Sequence, residues 1–72
     1  MKKAAINIEF NGKNVTSNYS EFTEEQIKTL QQYCETAASG KISYLKIESE
    51  NKEYYFPKQI IEQSVISLVY SS

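Results

Sequence analysis

The sequence predicts a small α+β domain, a mainly antiparallel sheet with one amphipathic helix packed on one face. Three observations lead there. Alternating segments flank the turn dipeptide Asn11-Gly12, which reads as a hairpin. One capped stretch with helical periodicity follows, over residues 24–38. A second alternating pair and a final apolar run then complete the order β-β-α-β-β-β. The 72 residues make one domain, 1–72.

The first strand is predicted over residues 3–10. Ile6, Ile8 and Phe10 alternate with Asn7 and Glu9, the period-two pattern of a half-buried strand. Asn11-Gly12 suits a type I′ turn, whose two central residues both need positive φ. Closing that turn pairs Phe10 with Lys13, Glu9 with Asn14 and Ile8 with Val15, so two apolar residues share a face. The return strand is placed at 13–18, where the polar run NVTSNYS suits a sheet edge. In the helix, Thr23 is a good N-cap and Gln26 stands at the capping-box position. Phe22 and Ile27 flank the cap as a hydrophobic staple. Glu24 and Glu25 complement the positive end of the helix dipole. Ile27, Leu30, Cys34 and Ala37 recur at helical spacing, with Tyr33 and Ala38 widening the stripe. Gly40 falls where a helix C-terminus favours left-handed backbone.

KISYLKIESENKEYYFP gives the second hairpin. With its turn at Ser49-Glu50-Asn51-Lys52, Ile47 pairs with Tyr54 and Leu45 with Phe56. One face then carries Leu45, Ile47, Tyr54 and Phe56, and the other Tyr44, Lys46, Glu48, Glu53 and Tyr55. Pro57 ends the strand and can open a helical turn, so PKQIIEQ is a short turn placing Ile60 or Ile61 against the core. Residues 64–70, SVISLVY, are the last strand. Ile66, Leu68 and Tyr70 lie on one face and Val65 and Val69 on the other. A strand apolar on both sides is usually covered on both, and a single helix covers one face of a sheet. The second face is then expected to be covered by the 57–63 turn, a second copy or a foreign partner, and Val65 and Val69 are expected to be sheltered by self-association, as a homodimer, a common remedy for small domains without disulfides.

Composition narrows the chemistry. All eight basic residues are Lys and all nine acidic residues are Glu, while Arg, Asp, His and Trp are missing. With abundant Asn, Ile, Tyr, Ser and Gln, this resembles the AT-rich coding bias of low-GC bacteria and their phages. Without His the usual proton shuttle near neutral pH is gone, and without Arg no planar fork grips a phosphate. A net charge of −1 gives no electrostatic footprint for nucleic acid. The one cysteine, Cys34, lies on the helix's apolar stripe, where core packing is the ordinary role of a free thiol. No His/Cys/Glu spacing matches a metal site, and neither glycine belongs to a phosphate loop. No catalytic residue, cofactor or metal is expected. Met1-Lys2-Lys3 is followed by an apolar run that Asn7 and Glu9 break at once, so neither a signal peptide nor a membrane span is expected. The expected location is cytoplasmic.

Six tyrosines are the remaining signal. Tyrosine offers a large, rigid contact at low entropic cost and is enriched at interfaces. Tyr44, Lys46 and Tyr55 are expected to cluster on the outer face of the second hairpin as a contact for another protein. The ordinary alternative is strand propensity with cross-strand packing on a half-wet face. In size, composition and a tyrosine-bearing sheet face the chain resembles small phage-encoded inhibitors of bacterial machinery, anti-CRISPR proteins among them. That resemblance is one of style over the whole chain and rests on no motif. It implies a non-enzymatic inhibitor that works in a host cytoplasm by occupying a bacterial protein's surface. The alternatives are a regulatory or accessory subunit of a low-GC bacterium, a small-ligand or nucleotide-binding dimer, and a binder of single-stranded nucleic acid through aromatics interleaved with lysines.

Overall fold

The computed structural model describes residues 1–71. Over those residues the chain forms β1 (Lys2–Phe10), β2 (Lys13–Thr16), β3 (Ser20–Phe22), α1 (Glu24–Ala38), β4 (Tyr44–Ser49), β5 (Lys52–Pro57), α2 (Lys58–Glu62) and β6 (Val65–Ser71). It is a small α+β domain with antiparallel sheets and one main helix.

β1 is the centre of the larger sheet. β6 runs antiparallel along one edge of it, from Lys3↔Ser71 to Glu9↔Val65. The other edge is shared: β2 pairs with Asn7–Phe10 and β3 with Lys2–Ala4. The β1–β2 turn puts Asn11 at φ 51° and Gly12 at φ 76°, as a type I′ hairpin requires. The return strand stops at Thr16, short of the expected 13–18, because Ser17 leaves the ladder to clamp Ile6. The Ser17 amide donates to the Ile6 carbonyl at 2.8 Å, and the Ile6 amide donates to Ser17 Oγ at 2.9 Å. The chain then returns to the same edge of β1 as β3.

α1 has the predicted bounds. Gln26 N–H donates to Thr23 Oγ1 at 3.2 Å and Thr23 N–H to Gln26 Oε1 at 2.9 Å, closing the capping box. At the other end Lys41 N–H reaches the Thr36 carbonyl at 3.2 Å and Gly40 N–H the Ala37 carbonyl at 3.1 Å, with Gly40 at φ 77°. This is a Schellman motif, and it is why glycine stands there. The helix packs on β6 and β1. Ile27 and Ala37 are buried and Leu30 and Cys34 half-buried, but Tyr33 and Ala38 are exposed. The stripe is narrower than the spacing implied because other elements cover part of the sheet.

Those elements are β4, β5 and α2. The second hairpin does not join the larger sheet; it forms a two-stranded sheet of its own. Its register runs from Tyr44↔Pro57 to Ser49↔Lys52 and includes the expected pairs Leu45↔Phe56 and Ile47↔Tyr54. Its inner face meets the larger sheet. Leu45 and Ile47 bury themselves with Ile8 and Ile61, and Ile6, Val15, Ile42, Tyr54, Phe56 and Ile66 pack around them. Ile61 is the residue that α2 delivers to this core. A single asparagine ties the layers together at the turn: Asn18 N–H donates to the Glu48 carbonyl and Asn18 Oδ1 accepts from Glu50 N–H, both at 2.9 Å.

Ladder partners share a face, so the register sorts the larger sheet. Ile6, Ile8, Val15, Ile66 and Leu68 point to one side, which holds the core. Ala5, Asn7, Glu9, Asn14, Thr16, Val65, Ser67 and Val69 point to the other, where Ala5 is buried. Around Asn7 that second face is a polar ladder, with Thr16 Oγ1 donating to Asn7 Oδ1 at 2.7 Å and Asn7 Nδ2 to Asn14 Oδ1 at 3.1 Å. Val65, opposite Glu9, is 63% exposed, and Val69, opposite Ala5, is half-buried. The two valines are separated by Ser67 and make no continuous apolar face.

Candidate functional site: the outer face of the second hairpin

Period-two alternation along β4 and β5 sends Tyr44, Lys46 and Glu48, with Glu53 and Tyr55, away from the core. All five are exposed, Tyr44 and Tyr55 by 59% and 60%. The ladder places Lys46 opposite Tyr55 and Glu48 opposite Glu53. Tyr44 and Tyr55 are diagonal neighbours, their ring centroids 6.5 Å apart and their planes tilted by 36°, within the range of attractive aromatic pairs. The three residues singled out from the sequence are thus brought together.

The charges around them have a definite order. Two carboxylates directly across a ladder repel. Lys46 Nζ lies 3.4 Å from Glu48 Oε1 and 3.4 Å from Glu53 Oε2, bridging both. The Tyr55 hydroxyl donates to Glu53 Oε1 at 2.8 Å. The Glu53 carboxyl is accordingly held below its ordinary range, by the Tyr55 hydrogen bond first and Lys46 second. The same carboxylate pushes the Tyr55 phenol up. Lys46 is held in its ammonium form, first by its hydrogen bond to Glu48 and then by Glu53. Lys46 therefore does not present a free positive charge; the face is aromatic at its centre, with two carboxylates to one ammonium around it.

Tyr33 of α1 is exposed as well. Burial raises its phenol first, followed by the charges that Cys34 and Tyr44 would carry when ionised. At 40% exposure it is a surface ring. Helical spacing widens the core stripe to Tyr33, but the structure leaves that ring at the surface.

Elsewhere the chemistry is sparse. Cys34 is half-buried, and burial pushes its thiol up, away from the nucleophilic thiolate. Among the described residues no three or more Cys or Glu side chains converge as a metal cage, and no helix is long and apolar enough to cross a membrane. An open groove of about 520 Å³ lies between the start of β1 and the first turns of α1, lined by Phe22, Ile27, Lys2, Lys28 and Glu24 among others. Compared with protein-family models, with curated proteins and with solved structures, the chain matches none, so what the hairpin face does follows only from its own residues.

Proposed function

We propose that this chain is a non-enzymatic protein-binding module that docks through the outer face of β4 and β5. The observation that carries the reading is the tyrosine pair. Two rings, each well exposed, stand 6.5 Å apart on positions set by ladder register, and Tyr55 is tethered through Glu53 to Lys46. Tyrosine has few rotamers to lose on binding, and side-chain ordering is one of the costs that keep contact area from becoming affinity. The local charge selects the partner's chemistry. Glu48 and Glu53 outnumber Lys46, and the turn beyond them adds Glu50 and Lys52, one charge of each sign. A protein surface bearing arginine or lysine complements this face, since cations stack on tyrosine rings and pair with carboxylates. The same excess of carboxylate disfavours phosphate backbones, and with them the nucleic-acid reading.

Occupying a surface needs no catalytic group, so the proposal extends to the inhibitor that the composition resembles: a small phage-encoded protein that masks a basic surface of a bacterial target. The test is capture of partners from a bacterial lysate, in parallel with the Tyr44→Ala/Tyr55→Ala double variant. Both positions are exposed, so the variant should keep the wild-type circular dichroism spectrum, and it should lose the partner. Unchanged capture by a folded double variant would remove this face from the binding site.

A further inference from the structure

We propose that the free edge of β6 pairs with the same edge of a second copy of this chain, antiparallel across a two-fold axis at Ser67, giving one sheet continuous through both molecules. The backbone geometry comes from Ile6. Its amide and its carbonyl are both engaged by Ser17, on the side of β1 away from β6. Antiparallel ladders alternate hydrogen-bonded and non-hydrogen-bonded pairs. Ile6↔Leu68 is therefore a non-hydrogen-bonded pair, and so are Ala4↔Tyr70 and Ile8↔Ile66. The backbone N–H and C=O groups of Ile66, Leu68 and Tyr70 consequently point outward from β6. β6 pairs with β1 alone, and among the described residues no hydrogen bond outside that ladder reaches these groups.

Folded proteins guard such edges with lysine, proline, bulges or extreme shortness. The other exposed strands here are guarded in those ways: β2 is four residues with Lys13, β3 is three residues, β4 carries Lys46, and β5 carries Lys52 and Pro57. β6 has none of these devices. It is seven residues, VISLVYS, without charge, proline or glycine, and its register against β1 is unbroken.

A second copy is the occupant that the sequence of the strand fits. An antiparallel pair is two-fold symmetric, so a strand can serve as its own complement. With the axis at Ser67, Ile66 faces Leu68 of the second copy, and the outward amides and carbonyls of both residues meet as hydrogen-bonded pairs. On the other face Val65, 63% exposed in the single molecule, meets Val69 of the second copy. Ser67 meets itself at a non-hydrogen-bonded position, where Cα atoms approach to about 4.5 Å and small side chains fit. The strand bears no charge, so the axis brings no like-charged strand residues together. This surface is separate from the tyrosine pair, and its failure would leave the docking proposal standing.

The test uses sedimentation and cross-linking. The wild-type chain should sediment as a dimer at tens of micromolar, and Val65→Lys, which places a charge on an exposed position of the edge, should sediment as a monomer with an unchanged circular dichroism spectrum. In a Cys34→Ser background, Ser67→Cys should form a disulfide-linked dimer with oxidised glutathione, since the close Cα approach suits a disulfide. A wild-type monomer at several hundred micromolar overturns the proposal. So does a dimer that survives Val65→Lys and fails to link through Ser67→Cys.

Discussion

A carboxylate and a phenol 2.8 Å apart share one proton between them, and the sharing has a sign that can be read in solution. Glu53 favours its charged form because Tyr55 donates to it and Lys46 stands beside it. A depressed carboxyl adds stability that is fully present above its unfolded value and is lost as pH falls through the lower, folded one. Tyr55 and Lys46 are both raised, so their contribution is complete below their unfolded values and is lost as pH rises through the folded ones. The network is whole across the neutral range and comes apart at either extreme. Glu53→Gln removes the anion that keeps the proton on Tyr55. The phenol should then titrate at lower pH than in the wild-type protein, read from tyrosinate absorbance after subtracting the matching Tyr55→Phe titration. An unmoved Tyr55 titration would mean that the hydrogen bond does not persist in water. The exposure of all three groups makes this a question of local order, with little bearing on global stability.

The second hairpin shows how an element is set partly by its own sequence and partly by a distant one. Its register follows from alternation, and the pairs Leu45↔Phe56 and Ile47↔Tyr54 were legible for that reason. Its turn is less self-sufficient. Glu50 holds φ 58°, a conformation that non-glycine residues rarely adopt, and its amide is anchored by Asn18 Oδ1 from the loop after β2. Asn18→Ala should cost about 1 kcal/mol, the net worth of one such bond. It should also speed amide hydrogen exchange at Glu50 ahead of the rest of the domain. Exchange at Glu50 that is unaltered in the variant would show that the turn stands without its anchor. Asn18 was not legible as a clamp, since an asparagine in a polar run looks like any loop residue. β3 escaped for a related reason: Ser20, Glu21 and Phe22 carry too few residues to display a period, and their pairing with Lys2–Ala4 is fixed only after Ser17 has turned the chain. The capping box and the Asn11-Gly12 turn were legible because each is complete within a few consecutive residues.

At the scale of the molecule, two sheets meet over a core with few large members. Ile8 and Leu45 are its most enclosed bulky side chains, one from each sheet, with Ile47 and Ile61 beside them, while Ala4, Ala5 and Ala37 supply close approach more than apolar bulk. The sequence pointed to one sheet under one helix, which left a face to be covered. The hairpin folding back as its own layer supplies that cover on the core side, while the far side is polar at Asn7 and Glu9 and enclosed at Ala5. Such an arrangement makes stability depend on the contact between layers. A chain of this length carries roughly 4–11 kcal/mol in total, and truncating a buried leucine costs about 2–5 kcal/mol. Leu45→Ala, which empties the hairpin's side of the contact, should therefore remove a large part of the whole, seen as a marked fall in the urea midpoint. Tyr55→Ala, on the opposite, exposed face of the same hairpin, should leave the midpoint nearly in place. Equal midpoints for Leu45→Ala and the wild-type chain would mean that β4 and β5 are not seated on the larger sheet in solution, and the placement of the tyrosine pair would go with them.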